Sequence, residues 1–214
     1  MKTLIVTGSD TGIGKTVVCA MLTLALEGDY WKPIQSGTAG GTDTQRVQAM
    51  TGLPSSHFQP ERYVLRAPLS PHRAAELDEI AIKPESLDLP QRSGKRWLIV
   101  EGAGGVLVPI NRQILQIALF SRWRAPVIVV ARTALGTINH TLLTLEALKR
   151  RAIEVMGIIF VGDAMPDTER TIAEFGGIKR LGRLPILPAL NAEALREAFG
   201  ANFDRRDFES AYGE

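Results

Sequence analysis

Residues 7–16, TGSDTGIGKT, constrain this chain more than any other stretch. They follow the apolar run TLIV and precede VVCAMLTLALE. The spacing predicts a buried strand over 3–8, a glycine-rich turn, and a helix over 16–27. Glycines let the backbone approach a ligand closely, and the N–H groups of the helix start then face an anion. In such a cradle Lys15 reaches the terminal phosphates of a nucleotide and Thr16 a Mg2+ ion. Five residues separate Gly8 from Gly14, one more than in the familiar phosphate loop. A plain strand-to-helix turn with a solvated lysine is the competing reading. The strand, the helix and the Gly-Lys-Thr triplet together favour a variant phosphate loop.

Downstream, short apolar runs alternate with amphipathic stretches. WLIVEG (97–102), APVIVVAR (125–132) and MGIIFVG (156–162) read as buried strands, with a last short strand near 179–184. Helices are expected over 139–151, about 167–175, and through TDTQRVQAM, opened by Thr42 or Asp43. YWKPIQSG (30–37) is an extended piece whose Pro33 belongs at a sheet edge or a strand end. Residues 52–94 are rich in proline and polar side chains and read as loops and short helices over the site. This alternation marks an α/β fold with a mostly parallel sheet flanked by helices. One domain over 1–214 is expected, less ordered after about residue 200. Ligands of such sheets sit beyond the carboxyl ends of the strands. The glycine loop, Lys32, Glu101 and the GAGG turn after it all fall there.

Composition narrows the partners. A net charge of only +2 leaves no electrostatic footprint for nucleic acid or an anionic membrane, and no run reaches the roughly 18 apolar residues that span a bilayer. Cys19 is the only cysteine, which excludes an internal disulfide and a cysteine-based zinc site, and it is expected to be a small buried side chain. The first residues pass straight into strand and loop with no leader peptide, so a cytoplasmic protein is expected. Lys149, Arg150 and Arg151 suit a helix end. His57, His72 and His140 lack ligand spacing and are expected to be structural.

Two carboxylates can complete a metal site. Glu101 closes a buried strand, where phosphate-loop proteins place the acid that holds Mg2+. Asp43 heads a helix after two glycines and reads either as a metal ligand or as a simple helix cap. Lys32 reads either as a surface lysine with a snorkelling stem or as a second ammonium facing the γ-phosphate.

TGSDTGIGKT, YWKPIQSG, GGTD, APLSPHRAA, VEGAGGVLVPI, LGTINH, GIIFVGD and LGRLPIL together resemble the dethiobiotin synthetases, in the family's order and as far as about residue 190. The family's phosphate loop also has the longer glycine spacing. The resemblance implies a homodimeric P-loop NTPase-type fold. It implies ATP-dependent carboxylation and ring closure of diaminopelargonic acid (7,8-diaminononanoate) with CO2, through a carbamate and a carbamic-phosphoric anhydride. Carried over by motif, Lys15 and Lys32 are the catalytic pair, and Thr16, Asp43 and Glu101 gather Mg2+. ATP would contact Thr11, Gly12, Ile13, Gly14, Lys15, Thr16, Val17, Asp43, Glu101, Gly102, Ala103 and Gly104, then Val161, Gly162, Pro185, Ile186 and Leu187. Thr11 and Ser36 would touch the diamine end of the substrate, with Ser70 and the SPH loop close by, and Asn139 would receive its carboxylate across the dimer interface. Removing either lysine is expected to cost rate with only a modest change in stability.

The chain departs from the family in three places. Gly12 stands where many members carry an acidic or amide residue, and little is expected to depend on it. Val161 replaces an asparagine that can read the purine edge, and PALNAEAL lacks a clear acidic ribose contact unless Glu193 serves. Weak base discrimination is therefore expected. The related alternatives are an ATPase of the cobyrinate or cobyrate amidase type, whose glutaminase partner 214 residues cannot include, and a partitioning-type switch. The switch usually carries an extra lysine early in the loop, where this chain has Gly8, Ser9 and Asp10.

Overall fold

Alternate side chains of the central strands are buried on opposite faces, which is how near-continuous apolar runs become a doubly covered sheet. Leu4 and Val6 pack into one layer and Ile5 into the other. In this computed structural model, residues 2–91 and 96–209 are described. The strands are β1 (Thr3–Gly8), β2 (Asp29–Trp31), β3 (Ile34–Ser36), β4 (Phe58–Gln59), β5 (Tyr63–Leu65), β6 (Leu98–Gly105), β7 (Val127–Arg132), β8 (Val155–Val161) and β9 (Arg180–Leu184). The helices are α1 (Lys15–Ala25), α2 (Asp43–Thr51), α3 (Pro71–Leu77), α4 (Gln116–Trp123), α5 (Thr137–Lys149), α6 (Pro166–Gly176), α7 (Ala192–Asn202) and α8 (Arg206–Glu209). Seven strands form one sheet in the order β4-β2-β6-β1-β7-β8-β9, each pairing parallel, while β3 and β5 pair separately. Side chains of α1, α2 and α7 fill one layer, and those of α3, α4, α5 and α6 the other. Among the described residues no helix is long and apolar enough to cross a membrane.

Local chemistry sets the ends. Thr42 caps α2 in a reciprocal box with Gln45, so of the two expected caps the hydroxyl is the one used. α1 stops at Ala25 because Glu27 turns left-handed and leads the chain into β2. α5 begins at Thr137, two residues before the expected start, behind left-handed Gly136. The GAGG stretch, expected as a turn, instead continues β6 to Gly105, with a register shift against β1 between Val6 and Gly8. Pro33 lies between β2 and β3, where the chain leaves the main sheet.

The described part of the stretch, 52–91, does more than cover the site: β4 forms an edge of the main sheet and β5 pairs with β3, while 92–94 lie outside the described residues. Beyond residue 200 the chain continues through the end of α7 and α8, with Phe208 fully buried against Phe199. Residues 210–214 of the expected loose tail lie outside the described residues.

Candidate functional site

The loop between β1 and α1 opens onto a cleft of about 800 Å³ at the carboxyl edge of the sheet. Thr11, Gly12, Ile13, Gly14, Lys15, Thr16 and Val17 all line it. No side chain caps α1, so its first-turn amides are presented to whatever enters. Lys15 is buried, and its Nζ donates to the Asp10 carbonyl oxygen at 2.9 Å within its own loop. Burial, more than any neighbouring charge, holds its pKa below the ordinary lysine value. Gly12 sits at φ +70° with open space where a Cβ would lie, so the backbone, rather than a clash, favours glycine there. Gly14 has φ +94°, and a Cβ on it would come within 2.9 Å of Val161 Cγ1. Val161 is therefore a packing support beneath the loop.

Beside the loop, the residue after β2, the head of α2 and the later part of β6 bring four groups together. Lys32 Nζ lies 2.8 Å from both Asp43 Oδ2 and Glu101 Oε1, and it also donates to the Gly102 carbonyl at 3.3 Å. Thr16 Oγ1 donates to the same Glu101 oxygen at 3.0 Å. Lys32 is only 4% exposed, which excludes the snorkelling surface lysine. Burial alone would lower its pKa, but Glu101 and then Asp43 more than offset this and hold it above the ordinary value. Asp43 follows the cap of α2 rather than forming it, so its carboxylate is left for Lys32 and for Arg46 at 3.4 Å.

The remaining predicted residues divide. Ala103, Gly104, Ser36 and Ser70 line the cleft. Ser36 Oγ is buried with no hydrogen-bond partner among the described residues, so it is a polar atom in want of one. Ser70 Oγ bonds His72 Nδ1 at 3.0 Å. Gly162 offers its carbonyl to Arg183. Pro185, Ile186 and Leu187 follow β9 without lining the cleft, and Leu190 lines it instead. Asn139 is exposed in the first turn of α5, outside the cleft, beside exposed Leu135, Ile138 and Leu143. His57 is turned away at the other end of the sheet, bonded to Asp29 and the Gly28 carbonyl.

Several contributors escaped the sequence reading. Tyr30 OH donates to Glu101 Oε2 at 2.8 Å. Gln35 Oε1 accepts from the Asp43 amide at 3.0 Å. Gln116 ties Ala103 N to Gly105 O, holding the end of β6. Tyr30 and Gln35 lie within YWKPIQSG but carried no role there, and Gln116 falls in no motif.

A divalent ion fits this donor set. Thr16, Asp43 and Glu101 present oxygen only, which suits a hard cation. Among the described residues there is no group of three or more His, Cys, Asp or Glu side chains to hold a metal alone. Phosphate oxygens and water must therefore complete the coordination, as is usual for Mg2+.

A loop of this build, set against two carboxylates at the end of a parallel sheet, places the molecule among the P-loop nucleotide-binding α/β proteins. Comparison with known proteins narrows that class. The family model described as an AAA domain matches residues 2–194. The ATP-dependent dethiobiotin synthetase BioD of Rhodopseudomonas palustris (strain HaA2) is 53% identical over 207 residues, covering 97% of this chain and 96% of that one. The protein of the same name from Sphingopyxis alaskensis is 53% identical over 208 residues, covering 97% and 100%. This chain belongs to the ATP-dependent dethiobiotin synthetase family. Among solved structures, the septum site-determining protein MinD complexed with Mg-ADP from Pyrococcus horikoshii OT3 aligns with a TM-score of 0.54 at 14% identity, covering 92% of this chain and 86% of that one. The MinC:MinD complex of Aquifex aeolicus gives 0.51 at 12%, covering 92% and 86%. At such identities these structures bear on the fold alone.

Proposed function

We propose that this chain is a dethiobiotin synthase: it joins CO2 to 7,8-diaminononanoate at the expense of ATP and closes the cyclic urea. One amine forms an N–C bond to CO2 and gives up a proton. A carbamate oxygen then attacks the γ-phosphorus as the bond to the ADP oxygen breaks. The second amine attacks the carbamoyl carbon and gives up a proton as the carbon–oxygen bond to phosphate breaks, phosphate leaves with that proton, and dethiobiotin, ADP and phosphate are the products.

Such a reaction asks a protein mainly for positioning and charge neutralisation. In this reading the first-turn amides of α1 hold the phosphates. Lys15 exchanges the Asp10 carbonyl for a phosphate oxygen, and Lys32, beside the Thr16–Glu101 contact, faces the carbamate and the transferred group. Thr16, Asp43 and Glu101 would hold Mg2+, which supplies neutralisation of the terminal phosphates when bound. Thr11, Ser36 and Ser70 orient the diamine, with the unpartnered Ser36 hydroxyl the natural first contact. The chain works in the cytoplasm as a homodimer in which Asn139, near the N-terminus of α5, receives the substrate carboxylate of the other copy. Exposed Leu135, Ile138 and Leu143 supply apolar surface for that contact.

The observation that carries the proposal is the buried Lys32 ammonium, clamped at 2.8 Å by Asp43 and Glu101 in the cleft that Lys15 also lines. An ion so placed meets the charge that develops on the transferred oxygens. The test is Lys32→Ala: diamine-dependent dethiobiotin formation should fall at least about a hundredfold, and a variant that keeps most of its kcat would sink the assignment.

A further inference from the structure

Tyr30 is fully buried in β2 and opens the YWKPIQSG stretch, yet none of the expected site roles falls on it. β2 runs parallel to β6 with Tyr30 opposite Ile99. Side chains alternate along a strand, so Tyr30 and Ile99 share the α1 side of the sheet, as Trp31 and Val100 share the other. Glu101, two residues past Ile99, projects to the same side as Tyr30. The result is a phenol aimed at a carboxylate: Tyr30 OH donates to Glu101 Oε2 at 2.8 Å, while Oε1 accepts from Lys32 Nζ at 2.8 Å and Thr16 Oγ1 at 3.0 Å. The tyrosine ring meets Phe58 edge-on, with centroids 6.3 Å apart, which fixes its direction.

We propose that Tyr30 is a positioning residue for the metal-holding carboxylate: its phenol occupies Oε2 and so turns Oε1 alone toward Lys32, Thr16 and the divalent ion. The inference rests on the reading of Glu101 as a metal-holding group. Glu101 is 1% exposed, and a buried carboxylate oxygen that loses its donor bears its full desolvation cost. Without the phenol, Oε2 is left to compete for Lys32 and Thr16, and the carboxylate no longer has one orientation. Hydrogen bonds to the back of a ligating carboxylate tune metal affinity in the same way in metal sites generally.

Tyr30→Phe keeps the ring and its contact with Phe58 and removes only the donor. The readout is Mn2+ binding, followed by electron paramagnetic resonance with ADP present, since it needs no turnover. The expected result is a roughly tenfold weaker Mn2+ dissociation constant, with ADP affinity in excess chelator unchanged. The Mg2+ concentration for half-maximal dethiobiotin formation should rise in step. In a Glu101→Gln background the same change should add nothing, because the two residues act through one contact.

Unchanged Mn2+ affinity in folded Tyr30→Phe, or an independent additive loss in the double variant, overturns the proposal. Should Tyr30→Phe fail to fold, Phe58→Leu loosens the ring while leaving both polar groups in place. It must then weaken Mn2+ binding measurably, and an unchanged constant overturns the idea. Wild-type protein that binds Mn2+ with ADP but forms no dethiobiotin would defeat the function proposed above and leave this assignment standing.

Discussion

Lys32 has two tasks that pull against each other: it neutralises a buried pair of carboxylates, and in the proposed reaction it must serve the transferred phosphoryl group. The sequence suggested a modest change in stability on its loss; in the structure, alanine would leave Asp43 and Glu101 facing each other without their shared cation. Breaking a buried ion pair costs about 3 kcal/mol or more. Lys32→Ala is therefore expected to unfold at lower denaturant without metal and to be partly restored by Mg2+. Equal midpoints for variant and wild type in chelator would contradict the ionic cluster. The ammonium's own contribution is fully present below the ordinary lysine value of 10.5 and is lost only as pH rises through the raised value, so this term is flat between neutral pH and about pH 9. Val161 carries a second prediction. With no amide at the end of β8 to read a base edge, kcat/KM for ATP, CTP and GTP should agree within about tenfold, a difference worth about 1.4 kcal/mol. Strict ATP selectivity would mean that backbone groups read the base. Lys15, Thr16, Asp43 and Glu101 were legible in the sequence because each sits in a motif whose chemistry demands that residue type. Tyr30 was not, because it meets Glu101 across 71 positions of sequence and looks like any aromatic core residue.

The central strands and α1 could be read at the level of elements because periodicity and glycine punctuation agree there. β4 and β5 could not, being two and three residues long and formed only because neighbours are present to pair with them. α4 was also missed. Its apolar face, Ile117, Phe120 and Trp123, recurs at helical spacing, but it follows Leu115, which offers no capping side chain to mark the start. α3 is held to the segment after β6 by Glu76, which bonds Arg112 and Arg73. Those hydrogen bonds, Arg112 first, bring the Glu76 pKa down from 4.5 to about 2. A carboxylate so depressed contributes stability that is present above its ordinary value and lost as pH falls through the depressed one. Glu76→Gln should therefore lose less stability than wild type between about pH 4.5 and pH 2 in thermal melts. Identical slopes for the two proteins would mean that solvent screens the pair completely.

At the scale of the molecule, a parallel sheet covered on both faces leaves its carboxyl edge as the place where loops from distant parts of the chain can meet. The phosphate loop, Lys32, Asp43 and the end of β6 do so. Asn139 stands outside this convergence in a single chain, so the proposed carboxylate contact needs a second copy. Leu143→Asp should then lower both the mass measured by analytical ultracentrifugation and the activity, and a fully active monomer would rule out a shared site. The most direct measurement follows phosphate and dethiobiotin together from Mg-ATP and bicarbonate, with and without 7,8-diaminononanoate. Phosphate release that depends on the diamine and matches dethiobiotin one for one is the predicted result. Equal phosphate release with or without the diamine, and no ring product, would leave a nucleotide-hydrolysing P-loop protein and contradict the proposed reaction.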